Sequence, residues 1–324
     1  MNKLISVIMP CYNAEKYIAE AIQSVQNQSL KDWELLIVDD SSTDNSANIA
    51  EKFAKEDDRI QLIKQPNSGA CRARNNGIEH AKGEYIKFLD ADDVLFNDCL
   101  ENQIRQIQTL NPNQLPFGTY GRIDERSNRI SYFQFSESML ELLAVDPIAF
   151  MYFHWEILIS CPLHRIENLL QIGLFDTRLP RHQESDLHFR LALAGIQFVY
   201  FPIHTFDYRE YHATSRISTR FQMGEIDIRS LNKWYYQKNE ALLLEHYGEM
   251  PQIYRPTFAD FWYGQARDNF ANKDKANGLY CMKRSQSYMS LKGTRKLYYY
   301  IGQIVGYIWV ETILRWRLKL LHKI

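Results

Sequence analysis

YIKFLDADD, residues 85–93, joins an apolar run to a knot of acids. Tyr85 to Leu89 has the composition of a buried strand, and Asp90, Asp92 and Asp93 follow it at once. Carboxylates packed this closely repel one another unless a cation or basic side chains stand among them. Mg²⁺ and Mn²⁺ take oxygen ligands, typically a carboxylate or two completed by water and substrate phosphate. In an open α/β sheet, the carboxyl ends of the strands border the crevice where ligands bind. The run therefore predicts a strand that ends in a metal–diphosphate site. The other reading is an acidic strand-to-helix turn in which Asp93 or Asn97 caps the next helix.

Upstream, the pattern repeats. LISVIM, residues 4–9, is a continuous apolar run stopped by Pro10, which suits a buried parallel strand. A helix follows, with Ile18, Ile22 and Val25 on one face and Asn13 as its expected cap. Glu34 to Val38 is a second strand, ending on Asp39 and Asp40. The next helix has Ser42 or Thr43 as its expected cap and Ile49 and Phe53 four apart. Ile60 to Ile63 is a third strand, and NSGACRARNNGIEHA a third helix rich in Arg and Asn. Alternation with short connections implies right-handed βαβ units and a mostly parallel sheet. The strand ends Pro10-Cys11-Tyr12-Asn13, Asp39-Asp40, Gln65-Pro66-Asn67 and Asp90-Ala91-Asp92-Asp93 then line one crevice.

Downstream, Leu100, Ile104 and Ile107 mark a helix. The pattern loosens over residues 111–136, with short strands expected at Phe117 to Tyr120 and Ile130 to Phe135. Residues 137–145 read as helix, Ile157 to Ile159 as strand, and Arg165 to Gln171 as a short helix. A helix with Leu187, Leu191 and Ala194 on one face ends at Gly195, and Phe198 to Phe201 reads as a closing strand before Pro202. Beyond about residue 212, helix-like segments rich in Tyr, Leu and Lys take over. In the last residues, the uncharged run Leu297 to Val310 is too short for a confident membrane span. Arg315, Arg317, Lys319 and Lys323 alternate with Trp309, Trp316 and Leu320. That mixture suits a helix lying on an anionic membrane surface, or equally one packed on the domain or on a second subunit.

The whole chain sets bounds. Its 324 residues suffice for one large domain or two ordinary ones. A net charge of −1 gives no reason to expect a nucleic-acid partner. The 5 cysteines are scattered, with no CxxC, which suits a reducing compartment. The chain starts directly on a strand pattern, so no signal peptide and a cytoplasmic setting are expected. There is no GxGxxG, no GxxxxGK[ST] and no GxSxG, which removes the main support for a dinucleotide dehydrogenase, a P-loop phosphotransferase or an α/β-hydrolase.

Four segments, SVIMPCYNAEKYIAEAIQSVQNQS, ELLIVDDSSTDNS, NSGACRARNNGIEHAKGEYIKFLDADD and HQESDLHFRLALAG, resemble in order and spacing the motifs of family 2 glycosyltransferases, the inverting enzymes of GT-A fold. The resemblance covers roughly residues 3–215. It implies transfer of a sugar from a nucleotide-diphosphate donor to an acceptor hydroxyl, with Mn²⁺ or Mg²⁺ on the diphosphate. It also implies a Rossmann-like α/β domain over residues 1–215, beyond which the residue pattern predicts a helical extension over 216–324.

Residue roles follow beside it. Tyr12 can offer a ring to a nucleobase, worth about 1–3 kcal/mol. Asp40 can accept the N3–H of uracil, and the family places its base-reading acid there; Asp39 suits a helix cap. Pro10, Asn13 and Ala91 lie in the same nucleotide-sugar motifs. Arg72 and Arg74 can pair with carboxylate or phosphate, and the family's ARN triplet favours Arg74. The resemblance assigns Asp90 to the ribose side and Asp92 to the cation, leaving Asp93 as support. An inverting transfer needs a base for the acceptor hydroxyl. The family's position for it falls on Glu184, where Asp is commoner, with Asp186 as the alternative. Either is also a first-turn acid favoured by the helix dipole. His212 resembles the family's histidine that reaches the diphosphate or metal. His154, Trp155 and His182 are candidates for the border of the acceptor pocket.

The expected enzyme is thus a UDP-sugar-dependent transferase acting on a glycan or lipid-linked acceptor in bacterial surface polysaccharide assembly. Its expected place is the cytoplasm, or the cytoplasmic face of the inner membrane. The rivals are a sugar-nucleotidyltransferase, which would need a Gly- and Arg-rich loop where CYNAEKY stands, and a degenerate nucleotide-sugar binding module.

Overall fold

The computed structural model describes residues 4–154, 156–211 and 228–290. His212, Trp155, the 215/216 domain boundary and the basic–aromatic C-terminal stretch lie outside the described residues. The chain divides into two compact units, one within Met1–Ile226 and the other within Asp227–Ile324.

The first unit is built on two sheets. Strands β1 (Ile5–Cys11), β2 (Trp33–Asp39), β3 (Ile60–Lys64), β4 (Tyr85–Phe88) and β8 (His164–Arg165) form one, in the order β3-β2-β1-β4-β8. All its pairings are parallel except β4 with β8. Every residue of β2 is buried, as expected when helices cover both faces of a parallel sheet. Buried polar groups in it are matched: Ser6 Oγ donates to Glu34 Oε1 at 2.6 Å, and that oxygen also accepts from Lys82 N at 2.6 Å. Helices α1 (Ile18–Gln26), α2 (Ser46–Glu56) and α3 (Ala70–His80) supply the crossovers. Gly77 lets α3 settle on β1, since a Cβ there would come within 2.4 Å of the Ile8 side chain. Register sets Cys11 beside Asp39 and Asp39 beside Lys64, while Leu89 N donates to Ile8 O. The strand ends therefore share one edge.

The second sheet runs β5 (Val94–Leu95), β9 (Gln197–Arg209), β6 (Gln114–Ile123), β7 (Arg129–Tyr132). Here the sequence pattern misleads. The expected closing strand does not stop at Pro202 but continues to Arg209. Pairing with β6 steps from Phe117–Tyr200 to Thr119–His204, so Pro202 falls in an irregularity where no ladder donor is needed. Gly118 sits opposite, and a Cβ there would lie 2.5 Å from Ile203 O. Ile157 to Ile159 is no strand; it is a buried turn closed by Cys161 N donating to Leu158 O. Its apolar residues signal burial alone.

Helix starts also differ. Helix α1 begins at Ile18, so Asn13 does not cap it, and α2 begins at Ser46, beyond Ser42 and Thr43. Helix α4 (Cys99–Ile107) has Asp98 at its N-cap, without a side-chain bond, so neither Asp93 nor Asn97 caps it. Helices α5 (Glu137–Val145), α6 (Pro147–Phe153), α7 (Ile166–Gln171) and α8 (Gln183–Leu193) also belong to this unit. Helix α6 was not expected from its apolar run PIAFMYF; Pro147 opens it and Asp146 caps it by accepting from Ala149 N.

The described residues of the second unit form helices α9 (Ile228–Tyr247), α10 (Arg255–Ala271) and α11 (Lys275–Tyr288). Phe258, Trp262, Ala266 and Phe270 recur every four residues, and all are buried. Cys281, Met282 and Ser285 of α11 are buried too, with Ser285 Oγ donating to Ala259 O at 2.7 Å. Among the described residues no helix is long and apolar enough to cross a membrane.

Candidate active site

Two loops form one wall of the crevice, and polar side chains lace them together. Asn13 Oδ1 accepts from Thr43 N at 2.7 Å, and Asn13 N donates to Ser42 Oγ at 3.1 Å. Ala14 N donates to Ser46 Oγ at 2.8 Å, and Asn45 N to Glu15 Oε2 at 2.9 Å. Asn13 and Ser41 both hold left-handed backbone, φ 51° and 61°, a strain that this lacing maintains. Asn13 is therefore a lock between loops. Tyr12 beside it is 40% exposed, while Pro10 stays in β1 opposite Val38.

Asp40 follows β2 and is buried. Its Oδ1 accepts from Gln65 Nε2 at 2.8 Å and Ser68 N at 2.7 Å, and its Oδ2 from Gly69 N at 2.8 Å. A carboxylate has about four acceptor positions, so one more donor fits. Asp40 thus fixes the loop that opens α3. Asp39 accepts from Ser42 N.

Arg74 of α3 is buried, whereas Arg72 is exposed. Arg74 Nη2 donates to Asp90 Oδ1 at 2.6 Å and Nη1 to Gln183 Oε1 at 2.6 Å. Burial works against its charge, but the negative charges of Asp90 and Glu184 prevail and raise its pKa. One guanidinium thus ties the acidic strand end to the start of α8.

Asp90, Asp92 and Asp93 each present a ligand oxygen, and these oxygens all lie within 4.8 Å of one another. Ala91 between them is buried. An all-oxygen set suits Mg²⁺ or Mn²⁺ better than zinc. The acids are not equivalent. Asp93 is 2% exposed, and its Oδ1 accepts from Arg209 N at 2.9 Å, so it holds β9 in place. Asp92 is half-buried; its carbonyl accepts from Arg209 Nε at 2.8 Å and its Oδ2 from Tyr211 Oη at 3.0 Å. Arg209 is itself fully buried and pairs with Glu20 at 2.6 Å. Sequence reading missed Arg209 and Tyr211.

Across from these acids, α8 starts from His182 in left-handed backbone, φ 60°. The loop before it is pinned to α3: Asn75 Nδ2 donates to Phe175 O at 2.9 Å, Phe175 N donates back to Asn75 Oδ1 at 3.0 Å, and Cys71 Sγ donates to Leu179 O. Burial first, and then nearby acids that include Glu184, push the Cys71 thiol up to about 12. Glu184 is half-buried. Asp186, the alternative base, is fully buried; its Oδ2 accepts from Arg190 Nε at 2.8 Å, and Arg190 also donates to Ile172 O and Leu174 O. Asp186 is thus turned inward, where through Arg190 it anchors the preceding loop. His154 stacks on Phe150 and lies 3.5 Å from Glu156.

Residues 6–156 match the Glycosyl transferase family 2 profile. Glycosyltransferase GlyG of Streptococcus pneumoniae is 35% identical over 150 residues, 46% of this chain and 50% of that protein. TuaG of Bacillus subtilis, provisionally named a teichuronic acid biosynthesis glycosyltransferase, is 47% identical over 102 residues, 31% of this chain and 40% of that protein. The chain thus spans half or less of the length of these curated relatives. Among solved structures, Staphylococcus aureus TarS in complex with UDP superposes with a TM-score of 0.56 at 17% identity, over 92% of each chain. TarS in complex with UDP-GlcNAc gives 0.56 at 16%, over 88% of this chain and 92% of that one. Those likenesses are of fold. The chain has the GT-A fold, and its residues 6–156 resemble glycosyl transferase family 2.

Proposed function

We propose that the protein is an inverting glycosyltransferase that moves a sugar from a UDP-sugar to a hydroxyl of a glycan or lipid-linked acceptor. The carrying observation is Arg74, whose two hydrogen bonds hold the strand-end acids and the start of α8 in one crevice. Tyr12 stacks on the base, and Asp40, with one acceptor position left, takes the uracil N3–H. Asp90 faces the ribose side. Asp92, with His212 as a further candidate, would hold Mn²⁺ or Mg²⁺. A divalent cation held there would screen the donor diphosphate and offset charge building on the leaving UDP. Glu184 accepts the acceptor's proton as its oxygen bonds to the anomeric carbon. The bond to the diphosphate breaks on the opposite face, which inverts the centre. TarS binding UDP and UDP-GlcNAc supports the donor class, and the name of TuaG supports bacterial surface polysaccharide assembly as the setting. The reading places the catalytic domain in about residues 1–215, and the protein in the cytoplasm or at the inner membrane's cytoplasmic face.

The test incubates the full chain with a panel of UDP-sugars and follows UDP release with Mn²⁺ and with EDTA. Mn²⁺-dependent release from one or a few donors is expected. UDP binding without turnover would make the protein a binding module. Pyrophosphate release from UTP and a sugar 1-phosphate would make it a nucleotidyltransferase.

A further inference from the structure

We infer that Tyr211 is the positioning residue for Asp92, aiming its carboxylate for cation binding; this rests on the cation assignment proposed above. The end of β9 grips the acidic turn in three places. Arg209 N donates to Asp93 Oδ1, Arg209 Nε donates to the Asp92 carbonyl, and Tyr211 Oη lies 3.0 Å from Asp92 Oδ2. The first two bonds fix backbone and neighbour. Only the third reaches the carboxylate that would meet the cation.

The phenol is itself held. Its ring lies 4.7 Å from that of Tyr17, and the Arg209 guanidinium stands 4.6 Å from the same Tyr17 ring. Arg209 is locked in turn by Glu20 and by Ser127 Oγ at 2.9 Å. Tyr17 belongs to the start of α1, so the hydroxyl is placed by two elements at once. Such outer partners orient carboxylate ligands, and losing one typically costs about 10- to 100-fold in metal affinity.

The test measures Mn²⁺ binding by the full chain, with UDP present, from the signal of free Mn²⁺ in electron paramagnetic resonance. Tyr211→Phe keeps the ring and removes the hydroxyl; Tyr211→Leu removes both; Asp92→Asn removes the ligand charge. Tyr211→Phe should bind Mn²⁺ about 10- to 100-fold more weakly, with its metal-free melting temperature and UDP affinity close to wild type. Tyr211→Leu should lose at least as much. Wild-type Mn²⁺ affinity in Tyr211→Phe, against lost affinity in Asp92→Asn, would overturn the role of Tyr211 alone. So would a loss seen with Leu and not with Phe, which would make the ring mere packing. Unchanged affinity in all three variants would overturn the cation assignment as well.

Discussion

Two acidic regions meet across Arg74, and each divides its carboxylates in the same way. At the end of β4, Asp93 is buried and holds the backbone of β9, while Asp90 and Asp92 stay half-exposed. At the start of α8, Asp186 is buried and anchors Arg190, while Glu184 stays half-exposed. In both, one acid has become scaffold so that its neighbour can stand in a fixed place. A count of acids in a motif does not separate the roles; the donor that each carboxylate finds does.

The comparison makes its sharpest claim on activity. Asp92→Ala should abolish cation-dependent UDP release while leaving the fold intact, since Asp92 is not the acid that holds β9. Glu184→Gln keeps size and hydrogen bonding but cannot take a proton, so kcat should fall about 10²- to 10⁴-fold with donor affinity unchanged. Glu184→Asp should retain part of the activity. Asp186→Asn should leave kcat of the folded enzyme within a few-fold of wild type. UDP-release kinetics beside donor calorimetry decide it. A dead Asp186→Asn with an active Glu184→Gln would exchange the two roles.

On stability the order should reverse. Removing one partner of a buried ion pair leaves an uncompensated charge, at about 3–5 kcal/mol. Asp186→Ala should lose that much in urea unfolding, and adding Arg190→Met should restore part of it. Glu184→Ala, at a half-exposed site, should cost under about 1 kcal/mol.

These contrasts also mark what the sequence carried. The strands of the first sheet were legible because burial on both faces writes them as unbroken apolar runs, and their polar ends followed directly. β9 was legible only to Phe201, because Pro202 reads as a stop unless the bulge opposite Gly118 is known. Asn13 looked like a cap, yet its side chain spans to residue 43, a contact between loops that local pattern does not encode. Arg74 was singled out from its motif, but its grip on Gln183, 109 residues away, needed the fold. Arg209 and Tyr211 left no periodic signal at all.

The link between the regions gives a smaller effect. Arg74→Lys keeps the charge but cannot reach Asp90 and Gln183 together, because a lysine lacks the planar fork. Hydrogen bonds to charged groups contribute about 1.5–3 kcal/mol, so donor affinity or kcat should drop about 10- to 100-fold. If Arg74→Lys turns over normally, the two regions are not coupled through this residue.

The smallest effect is the acid sensitivity of the scaffold. His188 lies on the same helix as Glu184 and Asp186, at 2% exposure, and burial drives its pKa from 6.5 down to about 3. His164, fully buried beside it, is also driven well below the usual value by burial, with His188 and Lys87 adding to the shift. A histidine whose folded pKa is depressed stays neutral in the native state while the unfolded chain takes up its proton. The unfolded state then binds more protons, and stability rises with pH between the two pKa values. For His188 that window runs from about 3 to 6.5, so stability is complete above pH 6.5 and falls below it by about 1.4 kcal/mol per pH unit. From pH 6.5 to 5 the loss from this residue is about 2 kcal/mol. Urea unfolding at both pH values, on wild type and His188→Gln, tests it: the variant's stability should fall by about 2 kcal/mol less. Equal falls would mean that the His188 ring is protonated in the folded protein. Transfer lost together with the midpoint then belongs to the buried face of α8.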